Sequence, residues 1–470
     1  MSLTKVSYSM IQGAPVNIID YGASTSSADN TAAIQAAIDT GLDVYIPFGE
    51  FICTDTLTMN TPFQTMFGDG SGSQITFTFA SSKEGLIMGV PTGAVACDKQ
   101  TLRNVYLYGT ANVSKLLNIK GPECNIIGNR LVNISSGSVV YVEDENGASG
   151  IYGFGQRIVN NFIDGVLGTT GSGIRLGTYN QTTQILYNQI TDCSLGVYVN
   201  GATTSLNIVG NTIQNITAAN AAIYIHRTGS GMAAYNINVS NNYFEQIHYV
   251  VSIGDCALKN FVLDQNYAYR NDSGSKIDSY FYVADPLTVS AATENISINN
   301  NYVEDFGIFL GLDNEYGARL ISAKGNILDG VDYYSNGTYA ANAYSYVYAN
   351  PYTDSKLVSG TILGGTSARI ESKDAVLNMA INWPAQTKAT TLSFYFSPNG
   401  ANEVTVELFK VAPNSSIPVS VGSATASTAT TSLITLNSVA EGNVSYYAVA
   451  TFNNGGTSGY LFPLVLTLEK

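Results

Sequence analysis

Hydrophobic and polar residues alternate with period two through most of the middle of the chain. Eight segments share one arrangement: "NIIGNRLVNI", "RIVNNFIDGV", "QILYNQITDC", "NIVGNTIQNI", "NVSNNYFEQI", "VLDQNYAYRN", "SINNNYVEDF" and "SAKGNILDGV". Each carries an asparagine at the same place: Asn129, Asn161, Asn188, Asn211, Asn242, Asn266, Asn301 and Asn326. The residue three before it is mostly apolar (Ile126, Ile158, Ile185, Ile208, Val239, Leu263, Ile298), as is the residue two after it (Leu131, Ile163, Ile190, Ile213, Phe244). Alternation of this kind predicts strand. A further alternating run follows in most units, "GIRLG", "GVYVN", "AIYIHR", "YVVSIG" and "GIFLGL", so each repeat holds about three short strands and no helix.

The intervals between successive asparagines are 32, 27, 23, 31, 24, 35 and 25 residues, or 197 residues over seven steps. A unit of that size cannot bury its own apolar face and must stack on its neighbours. Strand-only units that stack predict a parallel β-helix, with coils about 4.8 Å apart, like residues in columns, and loops of varying length. The repeated Asn then serves a bend, where its amide satisfies backbone groups and bonds to the Asn of the next coil.

A stack of coils needs its first edge covered. "SSADNTAAIQAAIDTG" predicts a capping helix, with Asp29 or Asn30 as N-cap and Gly41 as its stop. "LDVYIPFGEFIC" then predicts the first strand pair and "FGDGSGSQITFTF" a turn, since the lysine and helix of a phosphate loop do not follow the glycines at 68, 70 and 72. Past Asp332 the repeat fades into a Tyr-, Asn- and Ala-rich stretch. The runs "LSFYF", "EVTVELFKV", "YYAVATF" and "YLFPLVLTLE", set between Gly, Asn and Ser turns, predict a β-sandwich. The fold class is therefore all-β: a leading segment at 1–20, a parallel β-helix with an N-terminal capping helix at 21–372, and a C-terminal β-sandwich at 373–470.

Composition narrows the function. Against 35 Asp+Glu there are 21 Lys+Arg, a formal charge of −14, which argues against a nucleic acid partner. Only 12% of residues are charged while 31 are Tyr. A surface built from Asn, Ser, Thr, Gly and Tyr suits carbohydrate, whose hydroxyls pair with amides and whose C–H faces pack on rings. Five scattered cysteines (Cys53, Cys97, Cys124, Cys193, Cys256) without paired spacing read as reduced and mostly buried, as in a chain folded in cytoplasm. Neither a membrane span nor a signal peptide is expected from the sequence.

The stretches "VNIIDYGA", "DNTAAIQAAID" and "VYIPFGEF", followed by Asn-marked coils, resemble the pectate-lyase-like β-helix proteins and, among them, bacteriophage tailspikes; "KVSYSMIQGAPVNIIDYGAS" resembles the neck joining a tailspike to its virion. The resemblance extends over residues 5 to 335 as architecture and over about the first 55 as motif. It implies a right-handed helix, a homotrimer, and binding and usually cleavage of host surface polysaccharide, capsule or O-antigen. It also implies attachment to a phage tail or baseplate protein through the N-terminus, assembly in the host cytoplasm, and action as part of the virion at the host surface, with the terminal module trimerising or binding glycan. The Asn-Thr-Asp, Asp-Asp and Gly-His-Gly signatures of polygalacturonases and the Trp-Ile-Asp-His of pectate lyases are absent, so pectin is not the expected substrate.

Aligning the units places candidate chemistry. The residue after the Asn is Arg130, Phe162, Gln189, Thr212, Tyr243, Tyr267, Tyr302 and Ile327; three after it stand Val132, Asp164, Thr191, Gln214, Glu245, Tyr269, Glu304 and Asp329. Both columns are expected to face solvent, with Phe244 and Val303 tucked inside. Glycosidases use two carboxyls, about 5–5.5 Å apart for retention and about 6.5–9.5 Å for inversion. Glu304 and Asp329, one coil apart, suit the first; Glu245 and Glu304, two coils apart, suit the second and are favoured, with Tyr269 and Arg270 between them. Tyr243, Tyr267, Tyr269, Arg270 and Tyr302 are the expected sugar contacts. A second outward column, Arg175, Tyr198, Tyr224, Ser252 and Phe309 with His226 two beyond Tyr224, lines either the same groove or a subunit contact.

A lyase on the same fold would draw a cation from Arg175, Arg227, Arg270 or Lys259, and "YVEDENG" would hold Ca²⁺ only with ligand spacing that it lacks, so no cofactor and no metal is expected. The competing non-enzymatic reading is a fibre or adhesin that grips glycan without cutting it.

Overall fold

The computed structural model describes residues 13–89, 99–133, 137–143, 153–165, 171–216, 221–226, 233–254, 256–270, 279–283, 293–312 and 318–329, and beyond them strand backbone between 333 and 469. Up to residue 350 the strands, Tyr339–Ala340 excepted, line up in three long parallel sheets, A, B and C. Sheet A contains the strands that lead into each Asn, such as Gln184–Leu186 and Thr203–Val209. Sheet B contains those that leave it, such as Gln189–Cys193 and Tyr243–Glu245. Sheet C contains the third strand of each coil, such as Leu195–Asn200 and Ala221–His226. Every pairing within these sheets joins one coil to the next in parallel register, so the molecule is the β-solenoid that the repeat predicts.

The core is a set of columns. Leu131, Ile163, Ile190, Ile213, Phe244, Ala268 and Val303 follow one another through sheet B, all fully buried. Ile126, Ile158, Ile185, Ile208, Val239, Leu263 and Ile298 do the same through sheet A. Alternation along each strand thus becomes a continuous apolar interior along the axis.

The asparagines close the bend between sheets A and B. The Oδ1 of Asn161 accepts from the backbone N (2.9 Å) and Nδ2 (3.0 Å) of Asn129, while its own Nδ2 donates to the carbonyl of Ile126 (2.8 Å) and to Oδ1 of Asn188 (2.9 Å). The pattern repeats without a break to Asn326. Each amide thereby satisfies backbone groups that the bend removes from the sheets.

The residue before each Asn has its own requirement. Asn104, Gly128, Asn160, Tyr187, Gly210, Asn241, Gln265, Asn300 and Gly325 all have φ between 54° and 69°. This left-handed conformation favours Gly and Asn and explains the recurring "GN" and "NN" pairs.

The solenoid begins before the first Asn-marked unit. Leu102 and Val105 belong to a coil in which Val105 occupies the asparagine's place, and its backbone N donates to Oδ1 of Asn129 at 3.1 Å. In these early coils buried glutamines serve the bend between sheets C and A. Gln64 donates to the carbonyls of Ile38 (2.8 Å) and Leu42 (2.7 Å), and Gln100 to those of Met59 and Thr61 (both 2.9 Å).

An eight-residue helix, Thr31–Ile38, packs Ile34, Ala37 and Ile38 into the core near this end. Asn30 is its N-cap residue without a side-chain cap bond, and Asp29 instead accepts from the N (2.9 Å) and Oγ1 (2.6 Å) of Thr31. Those bonds hold the Asp29 carboxyl down at about 2 against the opposing effect of its partial burial.

Cys53, Cys124, Cys193 and Cys256 are free and buried; Cys97 lies outside the described residues. No helix among the described residues is long and apolar enough to cross a membrane. From Ile362 onward the strands pair with one another antiparallel, in sheets that include Lys388–Asn399 with Thr430–Val439 and Glu403–Val411 with Ser445–Asn453, while Ala368–Ile370 also pairs in parallel with Tyr339–Ala340.

Candidate functional site on sheet B

The outward columns of sheet B fall in the register that the sequence predicts. Tyr243 pairs with Tyr267, Tyr267 with Tyr302 and Tyr302 with Ile327; Glu245 pairs with Tyr269, Tyr269 with Glu304 and Glu304 with Asp329. Between them Phe244 and Val303 are fully buried. Alternation on one strand and parallel pairing across four therefore bring seven of the candidate residues onto one face.

The three tyrosines form a stack. Ring centroids lie 5.4 Å apart for Tyr243 and Tyr267 with planes 6° from parallel, and 5.1 Å and 12° for Tyr267 and Tyr302. Their faces are thus largely spent on one another, leaving edges and hydroxyls to the solvent.

Two of the hydroxyls are committed to the acids. Tyr267 donates to Oε2 of Glu304 at 2.6 Å, and Tyr302 donates to Oδ2 of Asp329 at 3.1 Å. The bond to Glu304 raises the Tyr267 hydroxyl well above the ordinary tyrosine range, and the bond to Asp329 raises Tyr302. Partial desolvation and then Glu245 raise Tyr243.

Because the folded-state value of Tyr267 lies above the unfolded one, the bond's contribution is complete below about pH 10 and is lost as pH rises through the raised value. In a spectrophotometric titration one tyrosine is expected to ionise late in the wild type and earlier in Glu304→Ala, which removes the acceptor. Identical titration curves would contradict the bond.

Arg270 follows the strand Tyr267–Tyr269 and is only 4% exposed, its backbone N donating to the Glu304 carbonyl at 3.2 Å. Buried and one residue past the strand end, it is not on the open face between the acids where the spacing predicts it.

Arg175, Tyr224 and His226 stand on sheet C and not in the sheet B columns. Arg175 lies over two rings, 5.4 Å from the centroid of Tyr141 and 4.8 Å from that of Tyr198; Tyr198 stacks on Tyr224, and Tyr224 on His226, both at 5.5 Å. Gly254 leaves room for the imidazole, since a Cβ there would meet Cδ2 of His226 at 2.6 Å. This column continues through Ser252 and Tyr282 to Gly311. Phe309 is not part of it. It is fully buried and stacks on Tyr280, because the start of each sheet C strand bends inward at the corner with sheet B.

Glu143, in "YVEDENG", is engaged by Lys115 (3.4 Å), Lys120 (3.3 Å) and Nδ2 of Asn118 (2.7 Å), while Asp144, Glu145 and Arg227 lie outside the described residues. Among the described residues no group of His, Cys, Asp and Glu is arranged to hold a metal.

Sheet B carries a second aromatic stack, unmarked by any motif. The Arg130 guanidinium lies 5.0 Å from the ring centroid of Tyr106 and 5.2 Å from that of Phe162, three residues in direct register. Asp164 stands beside it, its carboxyl raised by burial and then by Asp192.

No protein-family model and no curated protein sequence matches the chain. Solved structures do. The catalytic unit of a thermostable GH87 α-1,3-glucanase from Streptomyces thermodiastaticus strain HF3-3 matches with a TM-score of 0.52 and 14% identity, covering 69% of this chain and 65% of that one. The Agl-KA catalytic domain matches with a TM-score of 0.52 and 15% identity over 69% and 64%. The match spans slightly under two thirds of each of those two proteins. The Dettilon tailspike protein aligns over 95% of this chain and 94% of its own, with a TM-score of 0.39 and 13% identity. The chain has the parallel β-helix fold.

Proposed function

We propose that this chain is a phage tailspike that binds a bacterial surface polysaccharide, capsule or O-antigen, along sheet B and hydrolyses it with Glu245 and Glu304. The observation that carries the reading is the row of outward carboxylates, Glu245, Glu304 and Asp329, beside the stacked tyrosines, with Glu304 and Asp329 each accepting from a tyrosine hydroxyl. Glu245 and Glu304 stand two strands apart, about 9.6 Å along the axis, near the spacing that admits a water between them. Tyr267 fixes the oxygen of Glu304 that it bonds, and Tyr269 stands between the two acids in register. The similar fold of the α-1,3-glucanase catalytic unit supports this reading.

Hydrolysis is favoured over elimination because two of the arginines an elimination would call on are already engaged: Arg175 over two rings on another sheet, and Arg270 buried. In this reading the solenoid is right-handed and capped by the Thr31–Ile38 helix. Three copies assemble side by side, residues 1–20 join the virion, and the antiparallel strands after residue 373 form a trimerising or glycan-binding sandwich.

The test is incubation of the full chain with capsule and O-antigen polysaccharides from a panel of bacteria. New reducing ends without the ultraviolet absorbance of unsaturated uronates are expected from the cognate host. Products carrying that absorbance would make the protein a lyase, and tight binding without products a non-catalytic fibre.

A further inference from the structure

Sheet B carries two aromatic stacks with a gap between them. Down one outward column the order is Tyr106, Arg130, Phe162, Gln189, Thr212, Tyr243, Tyr267, Tyr302. One face of Phe162 is covered by the Arg130 guanidinium, and one face of Tyr243 by the nearly parallel ring of Tyr267. The other face of each ring looks along the column toward the gap. Three strand spacings separate the two rings, about 14 Å, which leaves about 11 Å between the ring surfaces, with only the smaller side chains of Gln189 and Thr212 rising between them.

The floor of the gap is polar and uncommitted. Among the described residues the side chains of Gln189, Thr212 and Gln214 make no hydrogen bond. Thr191 and Gln214 stand beside Gln189 and Thr212 in the second outward column, with Asp164 before them and Glu245 after them in register. Asp192 joins this side, accepting from Oγ1 of Thr191 (3.0 Å) and Nδ2 of Asn215 (3.3 Å).

We infer that this notch is a sugar-binding subsite for neutral pyranoses, with Phe162 and Tyr243 as its walls and the amides and hydroxyl of Gln189, Thr212 and Gln214 reading the sugar hydroxyls. Two facing rings at this separation admit a pyranose packed by its C–H face against each wall. The carboxylates of Asp164, Asp192 and Glu245 border the notch, and the nearest cation, Arg130, is held between rings, so a uronate is repelled where a neutral sugar is not. The inference rests on the proposed glycan function and adds its substrate class. It places the binding of one part of the chain ahead of the acids at Glu304 and Asp329.

The test uses the full chain on an array of tetra- to octasaccharides, neutral hexose and deoxyhexose members set against uronate-bearing ones, followed by titration of the best binder. Wild type is expected to bind neutral members, Phe162→Ala and Tyr243→Ala to weaken that binding about tenfold or more, and Val262→Ala, exposed on sheet A, to bind as wild type. Thr212→Trp, which fills the notch from a half-buried position at its floor, is expected to abolish binding while the far-ultraviolet circular dichroism stays unchanged. Preference for uronates, binding to no neutral member, or binding indifferent to both Phe162→Ala and Thr212→Trp would overturn the notch. Cleavage of a host polysaccharide with notch variants unimpaired would remove the notch and leave the hydrolase reading standing; notch-dependent binding without cleavage would do the reverse.

Discussion

Replacing Asn242 by alanine is expected to destabilise the solenoid by on the order of 2–6 kcal/mol, at about 1–3 kcal/mol for each buried backbone group left without a partner. Two such groups result. The backbone N of Asn211 loses the Oδ1 that it donates to at 2.8 Å, and the carbonyl of Ile208 loses the Nδ2 that donates to it at 2.9 Å. Asn242 is 2% exposed, so water does not take the vacated place. Asn207→Ala is the control, since that side chain accepts one long bond, 3.4 Å from Nδ2 of Asn238, at a partly exposed site. Its expected cost is under about 0.5 kcal/mol. Equal melting temperatures for the two variants would show that the ladder contributes nothing specific.

Glu304→Gln is expected to lower the rate of polysaccharide cleavage by about 10²- to 10⁴-fold, the usual range for loss of an acid–base group, with melting temperature and glycan affinity unchanged. The amide oxygen still accepts from the Tyr267 hydroxyl, so the packing at 2.6 Å survives while the chemistry does not. The partner acid follows from two further variants. Loss of rate in Glu245→Gln with tolerance in Asp329→Asn assigns the wider pair and inversion; the opposite result assigns Glu304 with Asp329 and retention.

Much of this arrangement is legible in the sequence because the ladder Asn fixes the register. Once Asn242, Asn266 and Asn301 are aligned, period two dictates that Tyr243 and Glu245 face outward and Phe244 inward, and the buried Phe244 and Val303 bear that out. The coils before Asn129 were not legible in the same way. Val105 occupies the ladder position there, and Gln64 and Gln100 do the corner's work from a different bend.

Parity also misleads at corners. Phe309 lies two residues from Gly311 and so shares its phase, yet it is buried where the strand bends, just as Ala222 and Val250 are in earlier coils. Arg270 is misplaced for the related reason that it stands one residue past the strand end. The second aromatic stack was visible only as separate letters, since a guanidinium between two rings is a relation across coils 24 and 32 residues apart. The left-handed residue before each ladder Asn did have a signal, the pairs "GN" and "NN".

The central claim is that glycan lies along sheet B, over Tyr243, Glu245 and Glu304. A crystal structure of the Glu304→Gln variant soaked with an oligosaccharide of its own host polysaccharide addresses it most directly. Sugar rings running along the outward columns of sheet B, from the gap at Gln189 and Thr212 toward Asp329, are the expected result. Sugar seated on sheet C beside Arg175 and Tyr224, or on sheet A, with sheet B bare, would contradict it.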